Sequence, residues 1–169
     1  MFEKKFILIT LLITVFVLVG GIGLVNSNRG INNTTVQASF QSGGKVEIEQ
    51  TSIDWGKIAF RGGNKEAFFR IKNTGDSVLK LRNIKTSCHC TKAEVNINGQ
   101  ISPSFGMGGI TSWIGEIQPN SEAELKIIFD PMYHGPQGIG PIERYVKVET
   151  SDPGKSYIEF MVKGVVEKI

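Results

Sequence analysis

Cysteine and histidine are scarce in this 169-residue sequence, with two of each. Both cysteines, Cys88 and Cys90, lie within "TSCHC" with His89 between them, and His134 stands apart. A closed structural zinc centre wants four Cys or His ligands and would use every one of these residues, three of them consecutive. The same placement excludes a disulfide between distant segments of the chain. No G-x-S-x-G, H-E-x-x-H or phosphate-cradling glycine loop is present, and "GGIGL" falls inside an apolar run. The carboxylates form no convincing pair, so no catalytic residue is assigned and an enzyme is not expected. Basic runs with interleaved aromatics are missing too, with 19 Lys and Arg against 16 Asp and Glu. Nucleic acid is therefore excluded as a partner.

What the chain does have is one long uncharged stretch, "FILITLLITVFVLVGGIGLV", at residues 6–25. At a helical rise of about 1.5 Å per residue, such a run spans roughly 30 Å, one hydrocarbon thickness. Lys4 and Lys5 precede it, so residues 1–5 form a cytoplasmic tip and the rest is exported. The expectation is a membrane-anchored protein whose C-terminal domain lies outside the cytoplasm, in a bacterial-type envelope. A cleaved signal peptide, whose apolar core is shorter, is the alternative and would leave the protein secreted. No cysteine near the end of the run serves a lipoprotein anchor. Residues 26–44 are rich in Asn, Ser, Thr and Gly and read as a flexible linker. Residues 45–169 have the length of one domain.

Beyond residue 44 the apolar residues alternate rather than recur at helical spacing. Ile158, Phe160 and Val162 share one face, as do Leu125, Ile127 and Phe129; Ala67, Phe69 and Ile71; and Val146 with Val148. Period-two patterning argues for half-buried strands, here near 46–50, 53–60, 66–73, 78–85, 90–96, 122–129, 143–150 and 156–166. Turn chemistry separates them in "NTGDS", "QPNSE" and "SDPGK". Seven or eight short strands predict an all-β, immunoglobulin-like antiparallel sandwich, with a small barrel as the alternative. The segments 98–115 and 130–144 break the alternation but carry Phe105, Met107, Trp113 and several prolines. Such loops are expected to pack on the domain, and Trp55 and Trp113 to serve as packing residues.

The ordered combination "FRIKNTGDSVLKLRNIKTSCHCTKAEV", "IQPNSEAELKIIFDP" and "YVKVETSDPGKSYIEFMVKGVV" resembles the bacterial domain-of-unknown-function 1573 (DUF1573) family across residues 46–167. That family is itself similar to the immunoglobulin-like domains of the major sperm protein and ASPM–SPD-2–Hydin group. The resemblance implies the same fold outside the cytoplasm and brings no catalytic residues. Three departures are visible: His89 stands where the family has Gly, Asn120 replaces the Gly of a Pro-Gly turn, and Ser151 opens the closing Asp-Pro turn.

On a regular strand Cys88 and Cys90 would point to one face with Cα atoms roughly 6.6 Å apart, near the upper limit for a disulfide. Three readings of the pair stay open at this level. They are structural, as small core thiols or a local bridge; or they clamp a soft ion such as copper; or they exchange disulfides. A copper site would draw on Cys88, Cys90, Met107, Met132 and His134, with His89 joining only if a turn redirects it. The overall expectation is a binding or structural module with an unknown protein or peptide partner, engaged through sheet edges and the two loops.

Overall fold

The computed structural model describes Leu12, Thr14 and residues 43–110 and 112–168. The expected tip at 1–5, most of the span at 6–25 and nearly all of the linker at 26–44 lie outside these residues. Among the described residues no helix is long and apolar enough to cross a membrane. Gly44 is buried against the backbone of Leu79, so the packed region includes the end of the expected linker.

The fold lies within one compact unit, Gln41–Ile169. Its strands are β1 (Val46–Glu47), β2 (Ser52–Ala59), β3 (Lys65–Asn73), β4 (Leu79–Thr86), β5 (Thr91–Ile97), β6 (Gln100–Ile101), β7 (Gly115–Ile117), β8 (Glu122–Phe129), β9 (Gly140–Thr150) and β10 (Tyr157–Glu167). A single 3-10 turn, Gly135–Gly138, precedes β9. Two five-stranded sheets result, ordered β1-β3-β8-β5-β6 and β2-β10-β9-β4-β7. The sandwich is thus borne out and the barrel is not.

Two corrections apply to the expected strands. β1 covers only two of the expected residues 46–50, β6 and β7, two and three residues long, are too short to leave a period-two signature, and all three end their sheets. The sandwich is also not wholly antiparallel, because β10 runs parallel to β2. A parallel pair needs a long crossover, and here almost the whole domain separates the two strands. Their register shifts between Lys163 and Val165. A Cβ on Gly164 would lie 2.9 Å from the Gly56 carbonyl oxygen, so the bulge admits only glycine without rearrangement.

The alternating residues face inward as expected. Phe69, Ile71, Leu125, Ile127, Val146, Val148, Phe160 and Val162 are all fully buried in one cluster. Phe69 and Phe160, from opposite sheets, meet at 5.0 Å between ring centroids. The 98–115 segment packs on the domain through Phe105, which bridges to Ala93 and meets Trp113 edge-on. Trp55 likewise packs, with its indole N–H donating to the Glu66 carbonyl. At the end of β3, buried Asn73 accepts from the Lys45 and Gly75 amides and donates to the Ser77 and Ile117 carbonyls. That network explains the "NTG" turn. Asn120 adopts φ +59, the left-handed geometry that Asn tolerates in place of glycine.

Fully burying a large apolar side chain contributes about 1.5–3 kcal/mol, and truncating a buried Phe costs about 3–5 kcal/mol once the cavity is included. Phe69→Ala is expected to lose that much in chemical denaturation. Phe68→Ala, on the exposed face of the same strand, is expected to lose less than about 1 kcal/mol. Equal losses would mean that β3 faces the core differently.

Candidate thiol–imidazole site

β4 belongs to one sheet and β5 to the other, so residues 87–90 carry the chain from sheet to sheet. The 130–139 segment makes the return crossing from β8 to β9. Register places both crossings at one end of the sandwich, because Thr91 pairs with Phe129 and Thr86 with Val146. The amide of Asp130 then donates to the Cys90 carbonyl at 2.9 Å, tying one crossing to the other.

Residues 87–90 form a turn rather than the first residues of a strand, which corrects the regular-strand expectation. The Thr91 amide donates to the Cys88 carbonyl, and so does the Thr86 hydroxyl. Ser87 exchanges hydrogen bonds with the Tyr145 backbone. The chain curls, bringing the two Cα atoms to 5.2 Å, and a Cys88–Cys90 disulfide closes. His89 is exposed and does not belong to the ligand cluster formed by its neighbours and His134.

The two sulfurs differ in setting. Cys90 is 2% exposed and packs into a satellite core with Phe60, Phe129, Ile142 and Val166. Cys88 is half-buried at the rim of that cluster. His134 Nε2 lies 3.2 Å from Cys88 Sγ. A disulfide sulfur has no proton, so the imidazole N–H is the donor. Arg144 Nε donates to Cys90 Sγ at 3.1 Å, and the Thr91 hydroxyl lies 3.6 Å from the same sulfur. The Cys90 amide donates to Cys88 Sγ at 3.2 Å. Donors thus surround sulfurs that accept only weakly while bonded to each other, and that accept strongly as thiolates.

Local sequence explains how these partners arrive. Asp130 Oδ1 accepts from the Met132 amide, and the Gly135 amide bonds the Met132 carbonyl, so "DPMYHG" curls tightly. Gly135, at φ +62, turns the chain immediately after His134, a conformation that glycine adopts without strain. The Tyr133 ring stacks edge-on against the imidazole at 5.1 Å. On β9 the Tyr145 hydroxyl donates to Glu143, which holds the phenol above its ordinary pKa. Tyr145 therefore stays neutral, and the Arg144 guanidinium brings a positive charge beside Cys90.

Of the expected ligand residues, Cys88, Cys90 and His134 come together, with ligand atoms within 4.8 Å of one another. Met132 sits two residues before His134 and is 49% exposed, while Met107 lies on the 98–115 segment and is 42% exposed. The described polar contacts of the two sulfurs go to His134, Arg144, the Thr91 hydroxyl and the Cys90 amide. Arg144 was not anticipated. Its signal was available, since it sits between Ile142 and Val146, both inward-facing, where alternation wants an apolar residue.

Residues 46–103 match the family described as a protein of unknown function, DUF1573. The resemblance read from the motifs is borne out over β1 to β6. No curated protein matches the chain in sequence. A protein of unknown function from Porphyromonas gingivalis W83 is similar in structure, with a TM-score of 0.56 and 23% identity over 73% of this chain. The match covers 47% of that protein, so this chain spans about half of its length. The ASH/PapD-like domain 7 of human CEP192 gives a TM-score of 0.47 at 17% identity, covering 74% of this chain and 87% of that one. A C. elegans major sperm protein family member, WR4, gives 0.39 at 13% identity, covering 72% and 97%. At 23% identity the likeness to the Porphyromonas gingivalis protein is one of fold.

A bridge between residues two apart restrains the unfolded chain only slightly. The chain-entropy relation gives about 1.6 kcal/mol for a three-residue loop, against about 4.7 kcal/mol for a 100-residue one. Stapling is therefore a weak reason for the bond. Reduction is expected to lower unfolding stability by no more than about 2 kcal/mol, read from denaturation midpoints with and without reductant. A larger loss would make the bridge a structural staple after all.

Proposed function

We propose that the protein is an extracytoplasmic immunoglobulin-like module, held at the membrane by residues 6–25, that exchanges disulfides with thiols of its protein partners through Cys88 and Cys90. One observation carries this reading: a disulfide of little stapling value, with one sulfur accessible, sits among donors suited to thiolates. A partner thiolate attacks Cys88 Sγ, the more exposed sulfur, and forms a mixed disulfide. The S–S bond breaks toward Cys90, whose thiolate receives the Arg144 hydrogen bond. A leaving thiolate stabilised in this way departs faster. The second thiolate of the partner then attacks its own sulfur in the mixed disulfide and releases Cys88. The partner dithiol loses two electrons and two protons, and the Cys88–Cys90 pair gains them. His134, 3.2 Å from Cys88 Sγ, is placed to pass a proton to that sulfur.

A purely adhesive reading finds support elsewhere in the fold. Beside the terminal strands β6 and β7 lies a groove of about 430 Å³ lined by Ile97, Ile101, Trp113 and Ile114 together with the polar Gln100, Ser102, Glu116 and Gln118. Exposed sheet edges of this kind accept an extended peptide as an added strand. The groove stands at the far end of β5 from Cys90, roughly 20 Å away at about 3.3 Å per residue. Partner engagement and thiol chemistry would thus occupy separate surfaces.

The two readings part in one experiment. The full chain, oxidised and in detergent, is mixed with a peptide dithiol, and thiols and adducts are followed by mass. Exchange predicts slower reduction of the bridge in Arg144→Met; when the single-thiol variants are given a symmetrical peptide disulfide instead, whose second half leaves as a thiolate, it predicts a trapped adduct on Cys88 in Cys90→Ser and none on Cys90 in Cys88→Ser. If the peptide dithiol leaves the Cys88–Cys90 bond intact, the exchange reading fails and the adhesive one stands.

A further inference from the structure

Reduction of the pair changes what this end of the sandwich offers to a ligand. We infer that the reduced Cys88 and Cys90 thiolates, together with His134 Nε2, form a three-ligand site for Cu(I), and that the disulfide is its redox gate. The inference rests on the reading that the bridge opens, and adds a ligand to the opened state.

Geometry favours the assignment. The three ligand atoms already lie within 4.8 Å of one another. Metal–sulfur and metal–nitrogen bonds of about 2.0–2.3 Å place trigonal ligands roughly 3.5–4.0 Å apart. Breaking the S–S bond moves the sulfurs outward into that range, with no strand displaced. Cys90 is fixed by the satellite core and Cys88 by the 88–91 turn. The imidazole arrives from the other crossing segment, which the Asp130 amide ties to Cys90.

Charge and ligand type select the ion. Thiolates and imidazole suit soft metals. Two thiolates and one monovalent ion sum to −1, and the Arg144 guanidinium beside Cys90 brings the site to neutrality. A divalent ion would leave an excess positive charge in a partly desolvated site, and zinc would also ask for a fourth ligand. The electron balance is simple: a dithiol of the partner is oxidised to its disulfide, Cys88–Cys90 is reduced to two thiols, and Cu(I) displaces their protons without changing its own oxidation state. While the bridge is closed no thiolate exists, so the oxidised protein lacks two of the three ligands.

The test uses the full chain in detergent, reduced by a phosphine, with two thiols counted before metal is added. Under nitrogen it is titrated against Cu(I) held by bathocuproine disulfonate. The reduced protein is expected to withdraw one Cu(I) per chain and the oxidised protein none. His134→Ala, at an exposed position, should weaken binding at least tenfold while its circular dichroism stays unchanged, and Met132→Leu should leave binding within twofold. Withdrawal by the oxidised form, indifference to His134→Ala, or no withdrawal despite two counted thiols would each overturn the site, as would displacement of Cu(I) by equimolar Zn(II). Because phosphine opens the bridge here, a protein that binds Cu(I) yet ignores peptide dithiols separates failure of the exchange reading from failure of this one.

Discussion

Contact between the two inward faces is the interaction on which the rest of the molecule depends. No covalent link joins the sheets among the described residues, since the disulfide there spans two positions of one turn. The sheets are held by side chains such as Phe69 against Phe160, and by the fully buried aliphatic residues around them. Burial of this kind is non-directional, but strand alternation makes it specific. A one-residue slip in β3 or β8 would turn Phe69 or Leu125 to solvent, so hydrophobic burial also fixes register.

Register in turn builds the site. Pairing of Thr91 with Phe129 and of Thr86 with Val146 leaves the chain no choice about where it crosses between sheets. Both crossings fall at the same end, and the residues just beyond the paired positions become neighbours. Cys90 follows from Thr91, Asp130 from Phe129, and Arg144 from the inward stripe of β9 that holds Val146. His134 is reached by the tight curl of "DPMYHG". Residues 46 positions apart in sequence therefore share a hydrogen bond because of core packing some distance away.

This order of dependence explains what was legible beforehand. Period-two patterns are local, so the seven longer strands and their inward residues could be read from segments such as "IEFMV" and "ELKIIF". Turn chemistry is local too, which made Asn73 and Asn120 readable. β6 and β7 carry no pattern of their own, being defined by the neighbour that pairs with them. The parallel β2–β10 pairing is likewise a property of topology. The conformation of "SCHC" went the other way: extending the β5 alternation back through Cys90 gave a strand, whereas the sheet-to-sheet crossing demanded a turn. Proximity of His134 to Cys88 could be raised from residue type alone. Its partners could not be sorted, because Met107, Met132 and His134 are equally plausible until register decides which loop crosses where. Arg144 was missed for a different reason. An arginine at an inward position contradicts the alternation, and such contradictions mark places where burial has a purpose other than the core.

Placing a reducible bond in such a fold has a physical rationale. A disulfide that cross-linked the two sheets would be part of the folding free energy, and opening it would threaten the packing that presents it. Confined to a three-residue turn, the Cys88–Cys90 bond contributes little to that free energy by the chain-entropy argument. The turn is held independently by the Ser87–Tyr145 and Asp130–Cys90 hydrogen bonds, none of which uses sulfur. The scaffold can therefore keep Cys88, Cys90, His134 and Arg144 in place in both redox states, so that a change in oxidation state alters the chemistry of one rim of the sandwich and leaves the Phe69–Phe160 core as it was.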